Sequence, residues 1–306
     1  MGLLIVNGLH VVSVESISVF AAQSLLSPFE AERKIPDFSM AAVGDMGCSP
    51  VVKKIISDVD NKMPKLILVL GDLSYQGNNA NCWLSIVSPI YSKLKIVLGE
   101  HDYRSGSVLK QYKNQFNLSQ DYYSFNYQNV HFIALATEIQ FDINSPQYNF
   151  IKNDLDSNSK NPEIKWIVVF SYRPQYSSPT KHQGNVDLRD LYHPLFQKYH
   201  VDIVLQAHNH NYQRTYPVTY NQKTPVDPII EDNNSNYYEG PNGQIYLTVG
   251  TGGAELYRFS GKAPYIAAQY AGFGFLDISI ANNGRNLTGT YYNSDNSIKD
   301  HFIVRK

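Results

Sequence analysis

Residues 65–77 have the sequence KLILVLGDLSYQG. The apolar residues Leu66–Leu70 end abruptly at Gly71-Asp72, and a short continuous apolar run of this kind indicates a strand buried on both faces. Phe38–Val43 repeats the pattern and ends at Gly44-Asp45, and a helical stretch separates the two runs. This alternation of buried strands with helices predicts a mostly parallel sheet.

The same organisation continues through the rest of the chain. The pattern predicts helices at 50–60, 82–92, 147–155 and 186–199, and further strands at 95–98, 122–127, 130–136, 166–170, 202–206, 244–249, 273–280, 286–292 and 301–304. The polar stretch 221–241 is rich in Asn, Asp and Pro, which is typical of a long surface loop. We therefore expect one α/β domain over residues 36–306, a four-layer sandwich of two mixed β-sheets flanked by helices.

The composition limits the classes of partner that we expect. Of the 306 residues, 43% are hydrophobic and 17% are charged, and the formal net charge is -1. These are the proportions of an ordinary globular protein. A net charge so close to zero gives no bulk electrostatic reason to expect nucleic acid or anionic lipid as the main partner.

The chain contains two cysteines, Cys48 and Cys82. Their spacing matches no C-x-x-C metal or redox motif. A disulfide between them and a pair of unpaired thiols both fit the sequence, because spacing alone does not fix the distance between two side chains.

The N-terminal segment, residues 1–35, differs from the rest of the chain. Residues 3–22 are largely apolar, and Ala21-Ala22-Gln23 forms a small-residue end that resembles a cleavage site. His10 and Glu15 interrupt the apolar run. We expect a secretory signal and therefore an exported or extracellular protein. The alternative is an uncleaved segment that anchors the protein to a membrane.

Side chains that bind metals or act in catalysis follow five of the predicted strands. They are Asp45, then Asp72 with Tyr75, then Glu100 with His101, then Tyr172, and finally His208 with His210. The carboxyl ends of the strands in an open α/β sheet face one crevice, so these side chains are expected to converge. A single Asp after a strand is often only a helix cap or a turn former. Turn chemistry explains five such places far less well, and the set predicts a metal site.

Five motifs stand in a fixed order along the chain. They are Gly44-Asp45-Met46-Gly47, Gly71-Asp72-Leu73-Ser74-Tyr75, Gly99-Glu100-His101-Asp102, residues 166–174 (WIVVFSYRP) and residues 207–215 (AHNHNYQRT). Over roughly residues 38–293 the chain resembles the calcineurin-like metallophosphoesterases. Tyr75, three residues after Asp72, makes it similar to the purple acid phosphatase branch of that superfamily.

The resemblance implies a phosphomonoesterase with a dinuclear metal centre, in which a metal-bound hydroxide attacks phosphorus. It assigns four residues to the first metal, which is ferric iron in this family. They are Asp45, Asp72 as the bridging ligand, Tyr75 and His210. His101 matches a histidine that helps to bind phosphate and assists the leaving group. His182 matches a histidine that faces the substrate, although an exposed loop histidine explains it equally well.

The second metal position departs from the family pattern. Asp72 and His208 match two of its ligands, but Glu100 stands in place of an Asn and Tyr172 in place of a His. In one interpretation the site still binds Fe, Mn, Mg or Zn, with a preference for the harder ions. In the other it is empty, Tyr172 fills the space, and Glu100 pairs with a cation such as Arg104.

Three functions remain open at this point. The first is an exported phosphomonoesterase that acts on a small phosphoester. The second is a binding module that has kept the fold but lost turnover, as the changes at Glu100 and Tyr172 would suggest. The third is a diesterase or nucleotide hydrolase, whose substrate size the loops 176–186, 221–241 and 250–253 would govern.

Overall fold

The computed structural model describes residues 34–77 and 79–306. Residues Ile35–Lys306 form one compact unit. The predicted signal or anchor segment lies, except for its last two residues, outside the described residues. None of the described helices is long and apolar enough to cross a membrane.

The strands of the described residues are numbered in chain order. They are β1 (Phe38–Val43), β2 (Leu66–Leu70), β3 (Leu94–Val97), β4 (Tyr123–Tyr127), β5 (Val130–Leu135), β6 (Trp166–Ser171), β7 (Ile203–Gln206), β8 (Tyr212–Thr215), β9 (Val218–Thr219), β10 (Ile229–Ile230), β11 (Tyr237–Glu239), β12 (Ile245–Val249), β13 (Ile266–Tyr270), β14 (Gly274–Ala281), β15 (Asn286–Asn293) and β16 (Ile298–Arg305).

The α-helices are numbered in the same way. They are α1 (Pro50–Asn61), α2 (Asn81–Val87), α3 (Glu100–Tyr103), α4 (Gly106–Gln115), α5 (Pro146–Asn158) and α6 (Val186–Lys198), and a 3₁₀ helix spans Ser88–Lys93. Pro occupies the first turn of α1 and α5, where its missing N–H breaks no helical hydrogen bond. In α5 and α6 the side chains of Ser145 and Asn185 cap the first turn by accepting a backbone N–H.

Two seven-stranded mixed sheets form the centre of the described unit. The strand order is β11-β16-β15-β14-β1-β2-β3 in the first sheet and β13-β8-β12-β7-β6-β5-β4 in the second. The strands β1, β2 and β3 are parallel, and so are β5, β6, β7 and β12. The carboxyl ends of each parallel set therefore lie at one edge of its sheet.

Alternation along the buried strands divides the core into three layers. Met40, Leu68, Phe132 and Val168 belong to the layer between the two sheets. Their neighbours in sequence point the other way, so the first sheet packs against α1, α2 and α4 and the second packs against α5 and α6. Helices on one face of each sheet and a shared core on the other confirm the predicted four-layer sandwich.

The structure changes two local predictions. The predicted helix 82–92 is a short α-helix, α2, followed by the 3₁₀ helix. The predicted surface loop 221–241 contains β11, which pairs in parallel with β16 and closes the edge of the first sheet. Tyr238 in this strand is fully buried, and its hydroxyl accepts a hydrogen bond from Arg214. A strand of three residues inside a polar stretch leaves no clear pattern in the sequence.

Cys48 and Cys82 form a disulfide, with 6.0 Å between their Cα atoms. The bond joins the loop after β1 to α2. The loop that carries Asp45 is therefore tied covalently to the helix that follows the loop of Asp72. Of the two alternatives that the sequence allowed, the structure contains the disulfide.

His193 is expected to make the protein less stable in acid. It is fully buried in α6, and burial lowers the pKa of its imidazole from 6.5 to about 4. Its stabilising effect is complete above pH 6.5 and is lost as the pH falls towards 4, because the unfolded chain then binds a proton that the folded chain does not. The loss amounts to about 3 kcal/mol. Urea unfolding at a series of pH values measures it.

His193→Asn should flatten that pH dependence, since Asn does not titrate and its amide oxygen can accept the Tyr176 hydroxyl that now bonds to His193 Nδ1 at 2.7 Å. The matched control is His200→Asn, at an exposed histidine just after the same helix. An unchanged slope of unfolding free energy against pH in His193→Asn would contradict the assignment.

Candidate functional site

The predicted site residues meet at the carboxyl edges of the two sheets. Asp45 follows β1, Asp72 and Tyr75 follow β2, and Glu100 and His101 begin α3 directly after β3. Tyr172 follows β6 in the second sheet, and His208 and His210 follow β7. Side chains that follow strands of the first sheet contact side chains that follow strands of the second sheet, as in the pairs Tyr75–His210 and Asp72–Tyr172.

The first cluster contains Asp45, Tyr75 and His210. The Tyr75 hydroxyl lies 3.0 Å from Asp45 Oδ1 and 3.0 Å from His210 Nε2, and Nε2 is 3.4 Å from Asp45 Oδ1. His210 Nδ1 lies 2.6 Å from the backbone carbonyl of Glu255, which only accepts. That contact places a proton on Nδ1 and leaves Nε2 with its lone pair towards the other two residues.

The second cluster contains Asp72, Tyr172 and His208. The Tyr172 hydroxyl donates to Asp72 Oδ2 at 2.6 Å and lies 2.8 Å from His208 Nδ1. The other carboxylate oxygen of Asp72 accepts the backbone N–H of His101 at 2.8 Å. Tyr172 therefore bonds to Asp72 and to His208, the two residues that match ligands of the second metal in the family pattern.

The backbone is strained at these positions. Asp45, Asp72, Tyr75 and His208 have φ angles of 52°, 52°, 57° and 66°, in the left-handed region that non-glycine residues rarely adopt. Such conformations cost free energy and cluster at functional sites. The four strained residues are thus candidates for a functional role.

Glycines let the chain approach both carboxylates. A Cβ on Gly99 would overlap Asp72 Oδ1, and a Cβ on Gly250 would overlap Asp45 Oδ2. The backbone of Gly252 also donates to the carbonyl of Gly44 at 2.9 Å. The glycine-containing loop 250–253 thus lies directly against the loop of Asp45, and side chains there would displace the carboxylate.

Glu100 takes part in a separate group of ion pairs. Its carboxylate accepts from Arg104 Nη2 at 2.6 Å and lies 3.4 Å from Arg173 Nη2. Arg173 also donates twice to Glu138, at 2.6 and 2.8 Å. The hydrogen bond from Arg104 is the main reason that the pKa of Glu100 falls below its usual value.

The two candidate catalytic histidines flank the clusters. The His101 ring lies against the Tyr75 ring, with 4.4 Å between centroids. The His182 ring stacks on His208 at 4.2 Å, and its backbone is held by two hydrogen bonds to the Asn209 side chain. Both histidines are half-buried, and burial lowers the pKa of each. The structure thus places His182 next to His208, a member of the second cluster.

Burial shifts the pKa values of titratable groups in both clusters. Burial, followed by the nearby carboxylates of Asp45 and Asp102, raises the pKa of Asp72 to about 8. It also raises the pKa of Tyr75 and of Tyr172 far above the usual value, and lowers the pKa of His208 to about 4. A bound cation would reverse the direction for the acidic groups, because it favours their ionised forms.

The first cluster fits a metal ion. Its donors are a carboxylate, a phenol oxygen and an imidazole nitrogen, which suit iron and similar ions. Asp45 Oδ2 is buried without a hydrogen-bond partner among the described residues. A buried carboxylate oxygen with no partner is costly, and a cation at this position would satisfy it.

The second cluster does not fit one. The tyrosine hydroxyls make equivalent contacts in the two clusters, so the difference lies in the carboxylates. Both oxygens of Asp72 accept hydrogen bonds, whereas Asp45 Oδ2 has no partner among the described residues. Glu100 is bound to arginines. In neither cluster, nor elsewhere in the described part of the chain, do three or more His, Cys, Asp or Glu side chains form a group that could hold a metal ion. Each cluster combines one Asp and one His with a tyrosine, so the state of the carboxylate oxygens decides which cluster fits a metal ion.

Tyr257 is a site residue that the sequence analysis missed. Its ring stacks on the His210 ring with 4.0 Å between centroids, and its backbone N–H donates to the His210 carbonyl at 2.9 Å. It follows the loop 250–253 in a stretch that forms no strand or helix, so no periodic pattern marked it.

Comparison with known proteins shows that the amino-acid sequence is similar to those of phosphoesterases. A family model described as calcineurin-like phosphoesterase matches residues 38–212. Mouse acid phosphatase type 7 is 26% identical over 281 residues, which cover 79% of this chain and 61% of that protein. Probable inactive purple acid phosphatase 1 of Arabidopsis thaliana is also 26% identical, over 92% of this chain and 51% of its own length. The chain thus spans roughly half to three-fifths of these curated relatives.

The fold has solved counterparts. A purple acid phosphatase from seeds of yellow lupin (Lupinus luteus) superposes with a TM-score of 0.73 at 23% identity. The match covers 89% of this chain and 54% of the lupin chain. At this level of identity the similarity establishes the fold, with its two mixed sheets and flanking helices.

Proposed function

Because the chain belongs to the calcineurin-like phosphoesterase family, we propose that it is a metal-dependent hydrolase of small phosphomonoesters with one metal ion at the first cluster. The observation that carries this proposal is the arrangement of Asp45, Tyr75 and His210 around a buried carboxylate oxygen without a partner. The curated relatives, which are named as acid or purple acid phosphatases, support the phosphomonoester class.

Asp45, Asp72, Tyr75 and His210 would hold the ion, which we expect to be iron because a phenolate favours a hard, trivalent cation. A metal at this place supplies positive charge for the phosphoryl oxygens and makes water a better nucleophile at neutral pH. The tyrosine ligand gives an independent signature, since a phenolate bound to ferric iron absorbs visible light.

Two histidines of the chain would bind the substrate and transfer a proton. In the overall reaction, a water oxygen bonds to phosphorus, the ester P–O bond breaks, and the leaving alcohol takes up a proton. We assign to His101, which lies beside Tyr75, the binding of phosphate and the transfer of that proton to the leaving oxygen. We assign a contact with the substrate to His182, which stacks on His208.

A second candidate function rests on Tyr172. Its hydroxyl bonds to Asp72 Oδ2 and His208 Nδ1, so a second metal of a dinuclear centre would have to displace it from these two atoms. Without the positive charge of a second metal ion, a two-metal mechanism would lose several kcal/mol of transition-state stabilisation. A binding module that holds phosphoesters without turnover is therefore the alternative, and one relative carries the name of an inactive phosphatase.

The metal content of the purified protein tests both candidates. We expect close to one iron per chain by elemental analysis, a visible absorption band, and hydrolysis of a simple aryl phosphate. One iron without hydrolysis would favour the binding module. No metal, even after reloading with ferrous iron in air, would overturn the proposal. Two metals per chain would overturn the part that concerns Tyr172.

We further propose that the protein is exported and that residues 36–306 are the metallophosphoesterase domain. Support comes from the Cys48–Cys82 disulfide, because disulfides persist mainly in oxidising compartments. The apolar residues 3–22 would direct export. N-terminal sequencing of the protein from culture medium tests this, and retention of an intact N-terminus in the membrane fraction would favour the anchor instead.

A further inference from the structure

A surface cavity of about 430 Å³ opens beside the first cluster. It is lined by Thr180, Lys181, Glu255, Leu256, Tyr257, Arg258 and Ser260. None of these residues belongs to the predicted metal or catalytic set. The cavity therefore needs an explanation of its own.

The wall of the cavity is built directly on His210. The Glu255 carbonyl faces His210 Nδ1 at 2.6 Å, and the Tyr257 ring is stacked on the imidazole with an interplanar angle of 13°. Asn211 holds both sides of the cavity, because its side-chain amide donates to the Thr180 hydroxyl and to the Tyr257 carbonyl. The wall also lies next to the candidate catalytic residue His182, whose ring centroid is 5.6 Å from that of Tyr257.

The cavity carries an excess of positive charge. Lys181 Nζ lies 4.2 Å from the centroid of the Tyr257 ring, a cation–π contact that holds the ammonium over the wall. Lys181 and Arg258 are exposed, and Glu255 is the acidic residue of the lining. Within the described residues, neither cation forms a salt bridge with a carboxylate.

The arginines that contact Glu100 behave differently. Arg104 and Arg173 are both paired with carboxylates, those of Glu100 and Glu138. A substrate anion would have to displace these partners before it could use the arginines. Lys181 and Arg258 are free of that competition, so the cavity is the better place for a second anion.

We propose that this cavity binds a second phosphate carried by the leaving group, so that the preferred substrates are bisphosphorylated small molecules. This rests on the proposed phosphomonoesterase function of the same site. Hydrolysis releases inorganic phosphate from the first cluster, and the alcohol leaves with its remaining phosphate still ester-linked. Lys181 and Arg258 are specificity-determining residues that contact this remaining phosphate.

Two matched pairs of compounds test the inference on the full-length, metal-loaded protein. The substrates are propyl phosphate and propane-1,3-diyl bisphosphate, and the non-hydrolysable ligands are propylphosphonate and propane-1,3-diylbisphosphonate. We expect the bisphosphate to have the lower KM and the bisphosphonate the lower Kd by calorimetry, each by about tenfold, as two charge-assisted contacts would give. Lys181→Met combined with Arg258→Gln should remove this difference, while kcat for propyl phosphate changes by less than about threefold.

The control is Lys262→Met, which removes an exposed cation from the same loop but outside the cavity lining. It should keep the preference for the second phosphate. Hydrolysis of propyl phosphate without any preference for either bisphosphorylated compound would overturn the inference and leave the proposed function intact. A preference in binding that the double variant Lys181→Met with Arg258→Gln removes, in a protein that hydrolyses nothing, would support the cavity assignment and overturn the proposed function.

Discussion

Asp45→Asn is expected to lower the rate of aryl phosphate hydrolysis by at least about a thousandfold, because a loss of several kcal/mol of metal-derived stabilisation corresponds to that factor. The change replaces one carboxylate oxygen with an amide and keeps the size of the side chain. Its Oδ1 partner, Tyr75, stays in reach, but the buried Oδ2 that has no partner is the atom we assign to the metal. Iron content and the visible absorption band should fall together with the rate.

Asp277→Asn is the matched control for this change. Asp277 is a half-buried carboxyl in β14, in the middle of the same sheet, and burial raises its pKa to about 6. Its substitution removes a charge from the first sheet but none from the candidate centre. The variant should keep its iron and its rate. If Asp45→Asn retained both, the first cluster would not be the metal site.

The double change Tyr172→His with Glu100→Asn should raise the metal content from about one to about two ions per chain. It removes the hydroxyl that bonds to Asp72 and His208 and frees both for coordination. It also supplies an imidazole and an amide oxygen where the family pattern has them. Calorimetric titration with manganese or zinc into iron-loaded protein measures the new site without reference to activity.

Tyr172→Phe separates the two effects of that change. It removes the hydroxyl and adds no ligand, so it should leave the protein with one metal. A second ion in Tyr172→Phe would show that the hydroxyl alone blocks the position. A double variant that is folded and still binds one ion would contradict our account of the second cluster. A large gain in hydrolysis by the double variant would identify the natural site as weakened rather than adapted.

The buried parallel strands could be predicted closely from the sequence. β1 and β2 begin and end at the predicted residues, because both are continuous apolar runs that stop at Gly-Asp. The candidate site followed from the same fact, since its residues stand directly after such strands. The pattern is strong wherever hydrophobic burial alone places an element.

Elements that are stabilised by polar contacts could not be predicted from the sequence. The strand β8 has the sequence YQRT and is fully buried, although Gln and Arg rarely occupy such positions. Arg214 in it is held by Asp300 at 2.6 and 2.9 Å, a partner that lies 86 residues away in the sequence. The position of Tyr257 likewise could not be predicted, because it depends on stacking with His210, a residue distant in sequence, and not on any local pattern.

The position of β1 in its sheet has a consequence for biosynthesis. Phe38 pairs with Ile280 and Ala42 with Leu276, so one side of β1 is completed by a strand from the last tenth of the chain. Until that strand has been made, the edge of β1 is exposed and Asp45 lacks its final surroundings. Pairings between such distant segments form slowly and leave unpaired edges open to aggregation. The sheet around Asp45 is therefore complete only after β14 has been synthesised and has paired with β1.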